Sequence, residues 1–134
     1  KDMQKIENQH SGLIGVSGTT ADMRKLLQKQ HSDERAKLAV EMYIYRVRKY
    51  LGMYAAVLGG LDAVSITGGV GAGSSQIRSR IFEGLEFLNI RIDAHANNAE
   101  NVSQQLKIST NDSVQVWVIP THEELQIARS VAEL

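Results

Sequence analysis

A short β-branched stretch, Ala63-Val-Ser-Ile-Thr67, runs into Gly68-Gly-Val-Gly-Ala-Gly-Ser-Ser75 and then into a helical pattern marked by Ile77, Ile81, Leu85 and Leu88. Strand, glycine-rich turn and helix in that order suit a phosphate or sugar. Small residues let backbone N–H groups approach the ligand, and the following helix presents its positive end there. No Gly-Lys-Ser/Thr follows, which excludes a Walker A loop, and Ser74 stands where G-x-G-x-x-G places its third glycine. Asp93 follows at the spacing of a ribose-binding acid in a dinucleotide fold, about 20 residues on. The same residues also make a plain glycine-rich connection that binds nothing.

Two further clusters bear on the same chemistry. In Pro120-Thr-His-Glu-Glu124, Thr121 and Glu124 have the spacing of a capping box, so Glu124 is explained by local structure. Glu123 is not needed for the cap. It sits in a first helical turn after a strand, where a carboxylate either complements the helix dipole or holds Mg²⁺ directly or through water. In Ser17-Gly-Thr-Thr-Ala-Asp-Met-Arg24, Asp22 and Arg24 flank Met23 at a helix start. A carboxylate can take two ribose hydroxyls and a guanidinium can stack on a base; the plain reading is a helix-start Asp and a solvated Arg. His10, His31, His95 and His122 show no metal-ligand spacing. Ser74 and Ser75 have no accompanying His–Asp set and read as helix caps.

These residues need elements to position them. Lys1–His10 reads as a helix end or linker, and Ser11–Gly18, broken by Gly12, Gly15 and Gly18, as an irregular loop. A short helix is expected over Asp22–Gln30. Ser32 then caps a long helix with Asp33 and Glu34 in its first turn, and Gly59-Gly60 ends it. Val40, Ile44, Val47, Leu51, Tyr54 and Leu58 form its apolar stripe, read as core with part available to a partner subunit; Arg46, Arg48 and Lys49 form its wet face. Ala63–Thr67 is expected as a buried strand, Ile90–Ile92 as a short strand, and Ala94–Gln105 as a surface connection. Val114–Ile119 reads as a strand stopped by Pro120, and a last helix from Thr121 turns Leu125, Ala128 and Val131 or Ala132 inward. The alternation predicts a single α/β domain over residues 1–134.

Composition narrows the function. The chain of 134 residues is 43% hydrophobic and 22% charged, with 15 basic residues against 15 acidic, the mix of a globular domain. Balanced charge gives no overall field toward nucleic acid or an anionic membrane. No apolar run approaches the roughly 20 residues that span a bilayer, and the cytoplasm is the expected location. The absence of cysteine excludes disulfide scaffolds, thiolate zinc sites and cysteine nucleophiles.

Taken in order, Ser11–Gly18, Asp22-Met-Arg24, Gly59-Gly-Leu-Asp-Ala63, Thr67-Gly-Gly-Val-Gly71, Glu83-Gly-Leu-Glu-Phe-Leu88, Ile108-Ser-Thr110 and Val118-Ile-Pro-Thr-His-Glu-Glu-Leu-Gln-Ile-Ala128 resemble the C-terminal third of the acetate kinase and propionate kinase family, from about Ser11 onward. The resemblance implies the C-terminal domain of an actin/hexokinase-type (ribonuclease H-like) phosphotransferase fold, in which two α/β domains enclose a nucleotide cleft. It implies transfer of the terminal phosphoryl group between ATP and a short carboxylate such as acetate or propionate, with Mg²⁺, in a homodimer. Asp22, Met23 and Arg24 match the segment that holds ribose and base. Gly69, Val70, Gly71, Ala72 and Gly73 match the loop beside the adenosine and first phosphate, and Glu123 matches the Mg²⁺-site glutamate.

Two departures, at the loop and at Met23, which replaces a residue often aromatic in the family though Met in many members, accompany the match, along with a set of groups that is missing. The family usually reads Gly-Ile-Gly-Glu-Asn-Ser where this chain reads Gly69-Val-Gly-Ala-Gly-Ser74, so Ala72 and Gly73 lack a carboxylate and an amide. The family's substrate arginine, its transition-state histidine and arginine, and its catalytic aspartate lie upstream of the matching segment. No catalytic residue is therefore assigned here, and the chain by itself is expected not to turn over substrate. Two other readings follow from the same residues: a non-catalytic remnant serving as an interaction or dimer module, favoured by Ala72 and Gly73, and a small dinucleotide-binding domain resting on Asp93.

Overall fold

The computed structural model describes residues 2–100, 102–121 and 123–132. The chain divides into two compact units, 1–54 and 55–134.

The first unit is helical. It holds α1 (Asp2–Gln9), α2 (Gly12–Ser17), α3 (Met23–Lys29) and most of α4 (Glu34–Leu58), whose last turn belongs to the second unit. The stretch expected as an irregular loop is a helix. Its special backbone angles are confined to the ends, with Gly12 at φ 61° and Gly18 at φ 70°, and its last turn is held by the Arg35 side chain, which donates to the carbonyls of Val16 (2.9 Å) and Gly15 (3.3 Å). The cap of α4 is Asp33 rather than Ser32: its Oδ1 accepts from the Arg35 and Ala36 amides at 2.9 and 3.2 Å, while the Ser32 hydroxyl donates backward to Lys29. The α4 stripe is buried only in its first half. Val40 and Ile44 are buried, Val47 and Leu51 half-buried, and Tyr54 and Leu58 exposed.

The second unit is α/β. Its elements are β1 (Ala63–Ile66), α5 (Gly68–Gly73), α6 (Ser75–Phe82), a 3₁₀ turn (Glu86–Leu88), α7 (Ala94–Asn97), β2 (Leu106–Lys107), β3 (Gln115–Val118) and α8 (Glu123–Ala132). The sheet order is β1-β3-β2. β1 and β3 run parallel with Ala63 opposite Gln115 and Ile66 opposite Val118, and β2 is antiparallel to β3. Val116 and Val118 are buried with Ile77, Ile81, Phe82, Leu85, Ile90 and Ile108.

The structure corrects four expectations here. The glycine-rich turn is the helix α5. Residues 90–92 form no strand, only an isolated bridge from Ile92 to Ser109. β1 alternates exposed and half-buried residues instead of being buried. Along α8, Ala128 and Val131 are exposed; Leu125 and His122 lie outside the described side chains.

Candidate functional site

In the first unit, a run of local hydrogen bonds delivers Asp22 and Arg24. The buried Ser17 hydroxyl donates to the Thr20 carbonyl at 2.8 Å and accepts from the Thr19 and Thr20 amides at 3.2 Å, and Thr20 Oγ1 accepts from the Asp22 amide at 3.1 Å. Asp22 is the N-cap of α3, its Oδ1 accepting from the Arg24 amide at 2.9 Å. The Arg24 side chain returns to the same carboxylate, Nε to Oδ1 and Nη2 to Oδ2, both at 3.4 Å. These bonds to Arg24 hold the Asp22 carboxyl below its ordinary 3.8. Met23, between them, turns inward and is buried with Leu26. The segment therefore shows solvent a carboxylate and a guanidinium that already face each other.

In the second unit, the parallel pairing brings two other predicted segments together. Ile66 is the last residue of β1, Val118 is its partner at the end of β3, and the Ile119 amide donates to the Ile66 carbonyl at 2.8 Å. Both strands thus end at one edge. From that edge α5 leaves through Thr67, and β3 is followed along the chain by Pro120 and then by α8, whose first residue is Glu123. The carboxyl ends of adjacent parallel strands are where open α/β sheets bind ligands.

α5 is an improbable helix by composition, since Gly68, Gly69, Gly71 and Gly73 supply four of its six residues and each glycine costs about 1 kcal/mol against alanine. Tertiary contacts hold it. Gly68 takes φ 75°, a left-handed turn out of β1. A Cβ on Gly71 would fall 2.3 Å from Ile66 Cγ2, so only glycine lets the helix lie this close to the strand.

The third support is Arg78, which the sequence reading did not single out. It is fully buried on α6, and all five of its N–H groups have acceptors. Nη1 donates to the Gly71 carbonyl at 2.8 Å and the Ala72 carbonyl at 3.3 Å. Nε donates to Asn97 Oδ1 at 2.8 Å, and Nη2 to the Asn97 carbonyl at 2.7 Å and to the Ala99 carbonyl. Asn97 Nδ2 in turn donates to the Ser75 carbonyl at 3.1 Å and Ser79 Oγ at 2.7 Å. Burial pulls the guanidinium below its ordinary value, and the Glu100 charge opposes that shift. A signal existed: Ile77, Arg78, Ile81 and Phe82 share one helix face, so Arg78 lies on the buried side of α6.

Ser74 caps α6, as expected, accepting from the Ile77 amide at 3.3 Å, and Ser75 donates to Glu100 through both its amide and its hydroxyl. Asp93 is the N-cap of α7, accepting from the His95 and Ala96 amides at 2.8 and 3.0 Å, so local structure explains it without a ribose. Among the described residues, no three His, Asp or Glu side chains converge on a metal site. The side chain of Glu123 lies outside the described residues. A lone carboxylate at that position has the chemistry to join a Mg²⁺ ion that keeps its waters and takes its other ligands from substrate phosphates.

Comparisons with known proteins identify the family. The sequence profile of the Acetokinase family matches residues 1–129. The acetate kinase of Solibacter usitatus is 46% identical over 131 residues, covering 96% of this chain and 31% of that protein. Among solved structures, Porphyromonas gingivalis acetate kinase superposes with a TM-score of 0.84 at 38% identity, covering 96% of this chain and 32% of that one. A propionate kinase from Francisella tularensis superposes at 0.78 with 36% identity, covering 95% and 32%. The chain thus spans about a third of the length of the relatives it matches.

Proposed function

The chain belongs to the acetokinase family, and from that premise we propose that it forms the nucleotide-binding and dimerisation domain of an ATP-dependent short-chain carboxylate kinase, equivalent to the C-terminal domain of the actin/hexokinase-type (ribonuclease H-like) fold. The reaction is transfer of the γ-phosphoryl group of ATP to a carboxylate oxygen of acetate or a close homologue. The bond from phosphorus to the ADP oxygen breaks as the acyl phosphate forms. Mg²⁺ supplies charge neutralisation on the phosphates. The observation that carries the reading is the shared edge at which β1 and β3 end, with the glycine-rich α5 following one strand and α8, which begins at Glu123, following the other.

In this reading Asp22 takes the ribose hydroxyls and Arg24 lies against the base, exchanging their mutual contact for the ligand. Met23 anchors the segment from its buried side. The backbone of Gly69, Val70, Gly71, Ala72 and Gly73 approaches the adenosine and first phosphate, where side chains would block it. Glu123 contributes the carboxylate toward Mg²⁺. The groups that orient the carboxylate and stabilise the transferring phosphoryl are assigned to no residue of this chain, and the parent enzyme is placed in the cytoplasm.

The homodimer is supported by α4. Met42, Tyr45, Arg46, Lys49, Tyr50 and Met53 line an open groove of about 410 Å³ on its exposed face. Tyr50 stacks on Tyr54 at 6.3 Å, and the Arg46 guanidinium lies 5.9 Å from the Tyr50 ring. Exposed aromatic and methionine side chains in one patch suit association with a second copy. Tyr45→Glu should convert the dimer to monomer in sedimentation velocity without unfolding it; a wild-type chain that sediments as a monomer at every concentration removes this part of the proposal.

The test of nucleotide binding is an amide NMR titration of the chain with Mg-ADP, with NAD as control. Expected are shifts confined to Asp22–Arg24, Gly69–Gly73 and residues 119–124, with none from NAD. A folded chain that shows no shifts at millimolar Mg-ADP favours the non-catalytic interaction or dimer module to which Ala72 and Gly73 point.

A further inference from the structure

A buried guanidinium is costly unless every donor is satisfied, and ion pairing with a carboxylate is its usual remedy. Arg78 instead gives all five donors to neutral oxygens, four of them backbone carbonyls. Two of those carbonyls, of Gly71 and Ala72, belong to the last turn of α5, where a helix has no partners of its own to offer. The other acceptors, Asn97 Oδ1 and the carbonyls of Asn97 and Ala99, lie on and just after α7. The Val102 amide also donates to the Ala72 carbonyl at 3.2 Å, so the same short stretch is gripped from two directions.

α5 has almost no side chains with which to fix itself. Its position therefore depends on the close Gly71–Ile66 approach and on this guanidinium. We infer that Arg78 is a positioning residue for the proposed nucleotide site: its planar fork, locked by Asn97 and the Ala99 carbonyl, sets the backbone of Gly69–Gly73 in the conformation that receives the ligand. The inference rests on the nucleotide reading for its consequence in affinity, whereas the hold on the backbone is measurable without any ligand. A lysine has the charge but not the fork, so Arg78→Lys cannot bridge the two carbonyls of α5 and those of residues 97–99 at once.

The experiment compares wild type, Arg78→Lys, Arg78→Ala and Asn97→Ala by amide NMR and hydrogen exchange, first free and then titrated with Mg-ADP. In both Arg78 variants the amides of residues 69–73 should shift and exchange faster while those of Ala63–Ile66 and Gln115–Val118 hold their positions. The Kd for Mg-ADP should rise at least about tenfold, as when a supporting residue behind a ligand site is lost. Millimolar guanidinium should restore the 69–73 signals in Arg78→Ala and leave wild type unchanged, which a general loss of stability would not produce. Unchanged 69–73 amides in folded variants overturn the inference, as does a perturbation spread evenly over α6 and the sheet. If both Arg78 variants unfold, Asn97→Ala decides on the same amides, because it leaves the guanidinium in place and removes one anchor. Wild type that ignores Mg-ADP, with 69–73 still disturbed by Arg78→Lys, sinks the nucleotide reading and sustains the positioning role.

Discussion

Asp22–Arg24 and Gly69–Gly73 are both candidate ligand segments, and they are held in opposite ways. The first depends on neighbours: Asp22 caps the amide two residues on, and the Arg24 side chain that folds back on it is 88% exposed. The second is held by contacts that reach 19 and 21 residues along the chain through a guanidinium with no exposure at all. One segment offers side chains that can leave their present partners cheaply, since exposed ion pairs contribute little. The other offers backbone, which cannot rearrange without disturbing the packing behind it. In the proposed nucleotide reading, the segment assigned to ribose and base is the adjustable one and the segment assigned to the first phosphate is the fixed one.

The strongest challenge to that contrast is Gly71→Val. The new Cβ meets Ile66 Cγ2 at 2.3 Å, and a methyl attached to a β-branched carbon has little freedom to retreat. The variant should lose about 1–3 kcal/mol of stability in urea unfolding, the range for overpacking, together with Mg-ADP binding. The Asp22–Arg24 amides should be untouched. Wild-type stability in Gly71→Val would mean that α5 is free to move and that the fixed half of the comparison is misjudged.

Arg24→Ala probes the adjustable half. Its side chain donates to the Asp22 carboxylate, and the Asp22 cap on the Arg24 amide does not need it. Mg-ADP affinity should fall about tenfold, the effect of losing one charged contact to the ligand, with the urea midpoint unmoved. A lower midpoint with unaltered affinity would make the pair a structural feature of α3.

The two segments also differ in how far they can be read in the sequence. Asp22 as a helix start, the end of α4 near Gly59, β1 and β3 follow from local rules, because capping, glycine punctuation and alternation act within a few residues, whereas β2 and α7 lie in stretches with no such signal. The helical state of α5 does not follow. Its glycines argue against a helix, and the groups that impose one, Ile66, Arg78, Asn97, Ala99 and Val102, are set by tertiary structure. Asn97 was hidden for the same reason. It sits in a polar, asparagine-rich stretch that reads as surface, yet it is buried because Arg78 and Ser79 need its amide. The α4 stripe misleads in the other direction: helical spacing identifies Tyr54 and Leu58 as apolar-face residues but says nothing of whether this chain covers them, and it leaves them exposed.

A smaller effect sharpens the fixed half. Ala72 and Gly73 stand where the resembled family usually carries Glu and Asn, and both are half-buried at the end of α5. With the backbone already set by Arg78, adding those side chains should add contacts without reshaping the segment. Ala72→Glu with Gly73→Asn should therefore tighten Mg-ADP binding, about fivefold for each neutral hydrogen bond of about 1 kcal/mol that is regained. Calorimetry reads the change directly. Weaker binding would show that this backbone has diverged to suit the smaller residues.

The smallest effect belongs to the Asp22 carboxyl. The Arg24 side chain, foremost, and the Arg24 amide hold it below the ordinary 3.8, against a modest opposing effect of burial. A carboxylate depressed in the folded chain contributes stability that is fully present above its unfolded value and is lost as pH falls through the folded one. At neutral pH both states are ionised, so Asp22 adds no pH dependence there, and its contribution fades only in acid below 3.8. A carboxyl carbon titration should place its midpoint below that value in wild type and closer to it in Arg24→Ala, where the amide bond survives and the guanidinium is gone. A midpoint at or above 3.8 in wild type would mean that the ion pair does not persist in solution. The carboxylate would then be free before the ligand arrives, and the first segment would be more open than the comparison supposes.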